Sequence, residues 1–322
     1  MLFFDAIKIV SPPLHHLPAF RQVLRMVVSG TDLIAFGVGE LPLNHVRGKV
    51  VIVTGAAGGF GRLVAEKIGA RGARVVVADI DAEGAESVAA AIRAAGGEAI
   101  HRGTDVTDRV DTAELAALAV DAFSAVDVLV NNAGIMPLAF FSDHPAAAEA
   151  WDRCIDVNLK GVLHGITAVY DQMIAQGHGH VVNISSIYGN VPVVGSAVYS
   201  ATKAAVNVIS ESLRAESQGR IKVTVVRPTG VPGTGLGASI VNGEAVVGLV
   251  GQNMELFRQR ATAVFGAGSP EAKAEFTDPE KITYWAISPD ELAAQVVYVI
   301  DQPWGVSISD ITVRASGEQY LF

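Results

Sequence analysis

Cysteine is almost absent from this chain of 322 residues, in which Cys154 is the only one. A single cysteine excludes an intramolecular disulfide bond and a zinc site built from cysteines, and no histidine spacing typical of a metal site is present. Basic residues are also few, since 24 lysines and arginines stand against 33 acidic residues and give a formal charge of −9. We therefore expect a reducing, cytoplasmic location, no metal ion and no nucleic-acid partner.

A long hydrophobic run is missing as well. A membrane-spanning helix needs roughly 18 apolar residues in succession, and the apolar region 17–43 is interrupted by Arg21, Arg25, Asp32 and Glu40. Residues 19–28 nevertheless repeat apolar side chains at helical spacing, at Phe20, Val23, Leu24, Val27 and Val28. We predict residues 1–47 as a helical extension that packs on the enzyme or, as the less favoured alternative, lies on a membrane surface.

Half of the residues are hydrophobic, and from Lys49 onward short runs of valine and isoleucine alternate with alanine-rich stretches. Such alternation is typical of an α/β protein, and strands that are continuously apolar are typical of a parallel sheet with both faces covered. We predict a single-domain Rossmann fold over residues 48–322, with a doubly wound parallel seven-stranded sheet. The predicted strands are 50–54, 74–78, 99–103, 126–131, 180–185, 222–226 and 308–313, and the predicted helices are 60–71, 82–95, 110–124, 146–175, 198–217 and 289–301.

A glycine-rich turn follows the first of these strands. Glycine lets a backbone bend tightly and approach a pyrophosphate, and the start of the following helix attracts the phosphate charge. Asp79 ends the second strand, 24 residues after Gly55, near the position of a carboxylate that binds ribose. A tight strand-to-helix turn without a ligand is the alternative for the glycines alone.

Several motifs in order resemble the classical short-chain dehydrogenase/reductase family. The resemblance covers about residues 48–228 and rests on the spacing of Gly55, Gly59 and Gly61, on Asp105-Val106, on Asn131-Asn132-Ala133-Gly134, on Asn158, and on Ser186 followed by Tyr199 and Lys203. It implies catalytic roles for Ser186, Tyr199, Lys203 and Asn158. It also implies a cofactor site formed by Gly55, Gly58, Gly59, Phe60, Gly61, Asp79, Ile80, Asp105, Val106, Asn132, Ala133, Gly134, Tyr199, Lys203, Val231 and Thr234.

The chemistry of the tyrosine and lysine agrees with these roles. Tyr199 and Lys203 are four residues apart in a helical pattern, so their side chains share one face. The ammonium group is expected to lower the pKa of the phenol, which then exchanges a proton with an alcohol or carbonyl while Ser186 binds the reacting oxygen. The alternatives are an ordinary surface pair and, for the serine and the phenol, the neighbours Ser185 and Tyr188.

The sequence departs from the family after the sixth predicted strand. The family usually has Pro-Gly there, followed by a threonine that touches the carboxamide of the cofactor. Here Thr229 occupies the position of the glycine. Val231 is expected to keep the backbone contact to the carboxamide, and the role of Thr234 stays open.

These observations predict an NAD-dependent enzyme that interconverts an alcohol and a carbonyl. Asp79 favours NAD because a 2′-phosphate would meet its negative charge. Residues 230–288 form a predicted lid-like insertion rich in apolar residues, which indicates an apolar alcohol or ketone as substrate. We expect a homodimer or homotetramer. The alternatives are an epimerase or dehydratase of the same fold and a regulatory protein that senses the dinucleotide, although such regulators usually lack the tyrosine or lysine.

Overall fold

The computed structural model describes residues 25–29, 32–36, 44–266 and 269–321. Contacts between Cα atoms divide the chain into two compact units, residues 1–44 and residues 45–322. Of the helices in the described residues, none is long and apolar enough to cross a membrane.

The first unit contains a β-hairpin. Strand β1 (Arg25–Ser29) pairs antiparallel with β2 (Asp32–Phe36). The predicted helix over 19–28 is therefore wrong for residues 25–28, while 19–24 lie outside the described residues. Two physical signals favour the hairpin over the helix: the β-branched residues Val27, Val28 and Ile34, and a Gly-Thr pair between the strands.

The second unit contains a sheet of seven parallel strands in the order β5-β4-β3-β6-β7-β8-β9. The order reverses between β3 and β6, which confirms the doubly wound Rossmann architecture. The carboxyl ends of these two strands therefore border the crevice in which such sheets bind ligands. The strands are β3 (Val50–Thr54), β4 (Arg74–Asp79), β5 (Glu98–Gly103), β6 (Val128–Asn131), β7 (Gly179–Ile184), β8 (Ile221–Pro228) and β9 (Asp310–Val313).

Helices cover both faces of this sheet. Helices α1 (Gly59–Ala70), α2 (Ala82–Ala94) and α10 (Pro289–Ile300) bury residues in the core of one face. Helices α3 (Arg109–Phe123), α5 (Gly161–Gln176) and α6 (Ala197–Glu216) do so on the other. Burial on both faces explains why the central strands are nearly continuous in valine and isoleucine.

The helix predicted over 146–175 is not one continuous helix. Helix α4 (His144–Ile155) and α5 are joined by a π-helical turn, Asp156–Lys160, that contains Asn158. An extra residue in a helical turn shifts the side chains that follow, and such turns are frequent at functional sites. Helical periodicity cannot reveal the extra residue, because the apolar pattern continues on both sides.

Residues 230–288 contain helices of their own, since a loop of that length without secondary structure is uncommon in a compact domain. They are α7 (Val247–Val250), α8 (Met254–Phe265) and α9 (Pro270–Thr277). Leu249 and Val250 are buried. These helices lie between β8 and α10 in the chain, so the segment begins at the carboxyl ends of the strands, the edge at which such sheets bind ligands.

Candidate active site

The turn between β3 and α1 is built around close backbone contacts. Gly55 has a φ of 65°, and a Cβ atom there would lie 2.8 Å from the Cα atom of Ala133. A Cβ atom on Gly61 would collide with the side-chain amide of Asn132 and with the carbonyl oxygen of Gly55. Both glycines are therefore required by the geometry and are more than markers of a flexible loop.

Asn132 connects the end of β6 to this turn. Its side-chain amide nitrogen donates hydrogen bonds to the carbonyl oxygens of Thr54 and Gly55, each at 2.8 Å. The Thr54 hydroxyl in turn accepts the backbone N–H of Asn132 at 3.1 Å. The ends of the two strands at the crevice are thus fixed to each other before any ligand arrives.

We expect Gly61→Ala to weaken binding of the dinucleotide and to lower the free energy of unfolding by about 1–3 kcal/mol, because the methyl group must displace the Asn132 amide. Fluorescence titration with the reduced cofactor and thermal unfolding measure the two effects. Gly305→Ala is the matched control, since a Cβ atom at Gly305 meets nothing within 4 Å. Equal affinities in both variants would contradict the steric argument.

A single cavity of about 750 Å³ begins at this turn and runs across the carboxyl ends of the strands. The structure brings nearly all of the predicted site residues to its walls. They are Gly55, Gly58, Gly59, Phe60, Gly61, Asp79, Ile80, Asp105, Val106, Asn132, Ala133, Gly134, Ser186, Tyr199, Lys203, Val231 and Thr234.

Asp79 is held firmly at the end of β4. Its carboxylate accepts the backbone N–H of Ala57 at 2.9 Å and that of Asp81 at 3.1 Å. The neighbouring Ile80 is 64% exposed and offers no charge to a phosphate. Arg102, on the neighbouring strand β5, forms ion pairs with two acidic residues of α3, at 2.9 Å in the case of Asp111. The carboxylate is thus the charged group that this end of the cavity presents.

Asp105 and Val106 line the cavity just after β5, the strand next to β4. The Asp105 carboxylate accepts the backbone N–H of Thr107 at 2.9 Å and its hydroxyl at 2.8 Å. The carbonyl oxygen of Val106 lies 3.0 Å from Nδ1 of His164. These contacts fix the shape of the wall where an adenine ring would lie in the predicted site.

Three of the predicted catalytic side chains meet at the middle of the cavity. Tyr199 and Lys203 lie on α6 and are 3% and 5% exposed. The Lys203 ammonium donates to the carbonyl oxygen of Ile184 at 2.8 Å and lies 5.8 Å from the centre of the Tyr199 ring. Ser186 accepts the backbone N–H of Tyr188 at 3.2 Å. The hydroxyl of Ser185 instead donates to the carbonyl oxygen of Lys203 at 3.1 Å, so it supports the helix.

The pKa of Tyr199 differs from the sequence-based expectation. Burial raises the pKa of this phenol well above its ordinary value, while the hydroxyl of Ser186 acts in the opposite direction. Lys203 is itself buried, and the loss of hydration lowers its pKa to about 8. The structure therefore holds Tyr199 as a neutral phenol, and Lys203 does not overcome the cost of burying a phenolate.

We expect the buried lysine to reduce stability in a pH-dependent way. Below about pH 8 the Lys203 side chain is charged in both the folded and the unfolded protein. Between about pH 8 and 10.5 this side chain is protonated only in the unfolded protein, so the free energy of unfolding rises with pH. Relative to Lys203→Met, the wild-type protein without cofactor should gain up to about 1.4 kcal/mol per pH unit in that window. Chemical unfolding at several pH values measures it. A difference that does not change with pH would contradict the lowered pKa.

Asn158 lies behind the cavity wall and is fully buried. Its amide nitrogen donates to the carbonyl oxygen of Ile135 at 2.8 Å, and its carbonyl oxygen accepts the backbone N–H of the same residue at 2.9 Å. The paired bonds anchor the segment that follows β6. Asn158 is the one predicted site residue that does not line the cavity, so it can influence a ligand only through the residues it holds in place.

Comparisons with known proteins agree with this geometry. A family model described as short chain dehydrogenase matches residues 49–245. The chain belongs to the short-chain dehydrogenase family. An uncharacterized oxidoreductase of Listeria monocytogenes is 34% identical over 85% of this chain and 99% of its own length. Another, from Staphylococcus saprophyticus, is 31% identical over 86% and 99%. The fold of this family binds a nicotinamide dinucleotide, and the protein is an oxidoreductase.

Solved structures of short-chain dehydrogenases are similar as well. A metagenomic short-chain oxidoreductase in complex with NADP is 31% identical, with a TM-score of 0.62 over 84% of this chain and 97% of that one. A short chain dehydrogenase from Mycobacterium avium is 36% identical, with a TM-score of 0.54 over 57% of this chain and 70% of the other. The similarity extends over the sheet and its helices.

The departure at Thr229 has a structural explanation within this short-chain dehydrogenase. Burial raises the pKa of the Glu318 carboxyl, and the adjacent Thr229 hydroxyl and Arg314 act to lower it. The Thr229 side chain thus lies beside the segment after β9, where glycine would place no side chain, although its hydroxyl has no hydrogen-bond partner among the described residues. Two residues further along the chain, the carbonyl oxygen of Val231 accepts the Thr234 hydroxyl at 3.2 Å and stabilises the cavity wall.

Sequence reasoning missed part of the short-chain dehydrogenase site. Three aromatic side chains, Phe257, Trp285 and Tyr320, line the end of the cavity away from Asp79. The Phe257 ring centre lies 5.3 Å from that of Trp285 and 6.3 Å from that of Tyr320. No motif marks these residues, and the weak signal available was the apolar character of residues 230–288.

Proposed function

We propose that this short-chain dehydrogenase interconverts an alcohol and a ketone with NAD as the hydride carrier. The observation that supports this most directly is that Tyr199, Ser186 and the glycine-rich turn border one continuous cavity. The transfer of a hydride and a proton requires a proton donor next to a binding site for the dinucleotide, and this cavity offers both.

The residues divide the work of proton transfer and orientation. A bound nicotinamide dinucleotide would supply the hydride acceptor for the carbinol carbon or the hydride donor for the carbonyl carbon. In reduction the neutral phenol of Tyr199 donates its proton to the carbonyl oxygen. In oxidation Tyr199 must first lose that proton, and as a phenolate it takes the hydroxyl proton as the C=O bond forms. Ser186 orients the same oxygen through a hydrogen bond. Lys203 and Asn158 are positioning residues that act through the tyrosine and the cavity wall.

The choice of NAD rests on this chain's own residues, because one similar structure contains NADP. The Asp79 carboxylate is fixed by two backbone N–H groups and lines the cavity, where it suits two ribose hydroxyls. A 2′-phosphate at that point would meet like charge. Members of the family that prefer NADP usually carry arginine or lysine just before the second glycine of the turn or just after the second strand. These positions are Gly58 and Ile80 here, and Arg102 is paired with two carboxylates.

An apolar substrate fits the other end of the cavity. Leu138, Leu249 and Trp285 are each at most 6% exposed and line that end together with Phe257 and Phe265. Ligand pockets of this kind gain affinity by excluding water from apolar groups. We propose residues 230–288 as the segment that covers the substrate.

A steady-state assay tests the proposal. The purified protein is given apolar secondary alcohols with NAD or NADP, and the corresponding ketones with the reduced cofactors, while absorbance of the reduced nicotinamide is followed. We expect turnover with at least one alcohol–ketone pair. Binding of the dinucleotide without turnover of any pair would reject the proposed reaction.

A further inference from the structure

The segment 315–321 returns across the cavity after β9. The backbone N–H of Gly317 donates to the carbonyl oxygen of Tyr284 at 2.7 Å, and that of Leu321 donates to Leu249 at 3.0 Å. The Trp285 indole N–H donates to the side chain of Gln319 at 2.6 Å. Hydrogen bonds on both sides of Tyr320 in the chain therefore connect this segment to residues 230–288 and hold Tyr320 in place.

Tyr320 brings a phenol to the cavity. A Cβ atom on Gly230 would collide with the Tyr320 hydroxyl, so this hydroxyl lies directly against the backbone that follows β8. In the described part of the chain, none of the hydrogen bonds involves the Tyr320 hydroxyl, although the residue lines the cavity. The hydroxyl is not among the buried polar atoms, so it is accessible from the cavity, and a hydrogen bond to a ligand there would contribute about 0.5–1.5 kcal/mol. The placement thus favours a ligand that supplies an acceptor.

Tyr188 offers a second phenol nearby. Its ring packs edge to face against Tyr199, with the centres 5.5 Å apart, and it also lines the cavity. Burial raises the pKa values of both Tyr188 and Tyr320, and the Tyr320 phenol adds to the rise at Tyr188. Both groups are therefore neutral hydrogen-bond donors at any physiological pH.

We propose that Tyr320 and Tyr188 bind a second, uncharged oxygen of the substrate, distinct from the reacting oxygen that Tyr199 and Ser186 hold. The substrate class is an apolar ketone or alcohol that carries a further hydroxyl or carbonyl group. Two neutral phenols suit an uncharged oxygen better than a carboxylate, whose counter-ion would have to come from Arg153 or Lys203, the basic residues that line this cavity. This inference rests on the proposed function and adds specificity to it.

The test compares substrates in pairs. Cyclohexanone and a decalone are each measured against their hydroxylated derivatives, with both reduced cofactors, in the wild-type protein and in Tyr320→Phe and Tyr188→Phe. The quantity of interest is the ratio of kcat/KM between a hydroxyketone and its parent ketone. Tyr298→Phe is the matched control, because Tyr298 lies on α10 and is 49% exposed. Melting temperatures verify that the variants fold.

We expect the wild-type protein and the Tyr298 control to prefer at least one hydroxyketone by about fivefold or more, the value of one hydrogen bond. Tyr320→Phe should bring that ratio close to one, mainly through KM. A ratio near one in the wild-type protein, or an unchanged ratio in Tyr320→Phe, would overturn the inference and leave the proposed function intact. Failure to reduce any ketone while the dinucleotide binds would reject both.

Discussion

We expect Tyr199→Phe to lower kcat by about 10²–10⁴-fold, the usual contribution of a positioned general acid or base. The substitution removes one hydroxyl and leaves the ring, which is 3% exposed and packs against Tyr188. Dinucleotide affinity and melting temperature should therefore change little. Steady-state kinetics and cofactor titration measure the two effects separately.

Tyr298→Phe is the control, because it removes a phenolic hydroxyl from an exposed face of α10 and should keep normal turnover. A kcat near the wild-type value in Tyr199→Phe would remove this residue from the reaction. Tyr188 would then be the candidate, since its phenol borders the same cavity.

The second large effect concerns the cofactor. We expect the wild-type enzyme to prefer NAD over NADP by at least about a hundredfold in kcat/KM, which corresponds to roughly 2.7 kcal/mol. The physical reason is the fixed carboxylate of Asp79, which accepts ribose hydroxyls and repels a 2′-phosphate. Asp79→Ala should shrink the ratio, chiefly by weakening NAD.

Asp121→Ala controls for the general change in charge, because Asp121 is an exposed residue of α3. The control should keep the preference of the wild-type enzyme. Comparable kcat/KM values for NAD and NADP in the wild-type enzyme would show that Asp79 does not select the cofactor.

The dinucleotide end of the cavity could be predicted because its signals are local. A glycine-rich turn follows a strand directly, and parallel strands place their carboxyl ends at one edge, so Asp79, Asp105 and Asn132 must gather there. The seven-stranded sheet followed from the same alternation. The position of a residue that follows a strand directly can be predicted from the strand alone, without knowledge of contacts that are distant in sequence.

The substrate end could not be predicted in the same way. Tyr320 reaches Gly230 across 90 positions of sequence, and its place depends on the anchors at Tyr284, Trp285 and Leu249. No periodic pattern encodes such contacts. The prediction for the hairpin β1–β2 was wrong for another reason, because its apolar residues fit a helical spacing as well as a strand.

The pKa of Tyr199 shows a further limit of sequence reasoning. Spacing correctly places Lys203 on the same helix, but spacing contains no information on burial. Both side chains are almost fully buried, and the loss of hydration is the largest cause of the pKa shift of each. The direction of a pKa shift depends on depth in the fold, which only the assembled structure supplies.

The buried ammonium of Lys203 has a consequence for laboratory evolution of this enzyme. Replacement of a buried charge by an apolar side chain of similar size is often neutral or stabilising. A library screened only for heat resistance would therefore tend to accept methionine or leucine at this position and accumulate robust but inactive proteins. Screens for a more thermostable enzyme must therefore measure turnover in every round.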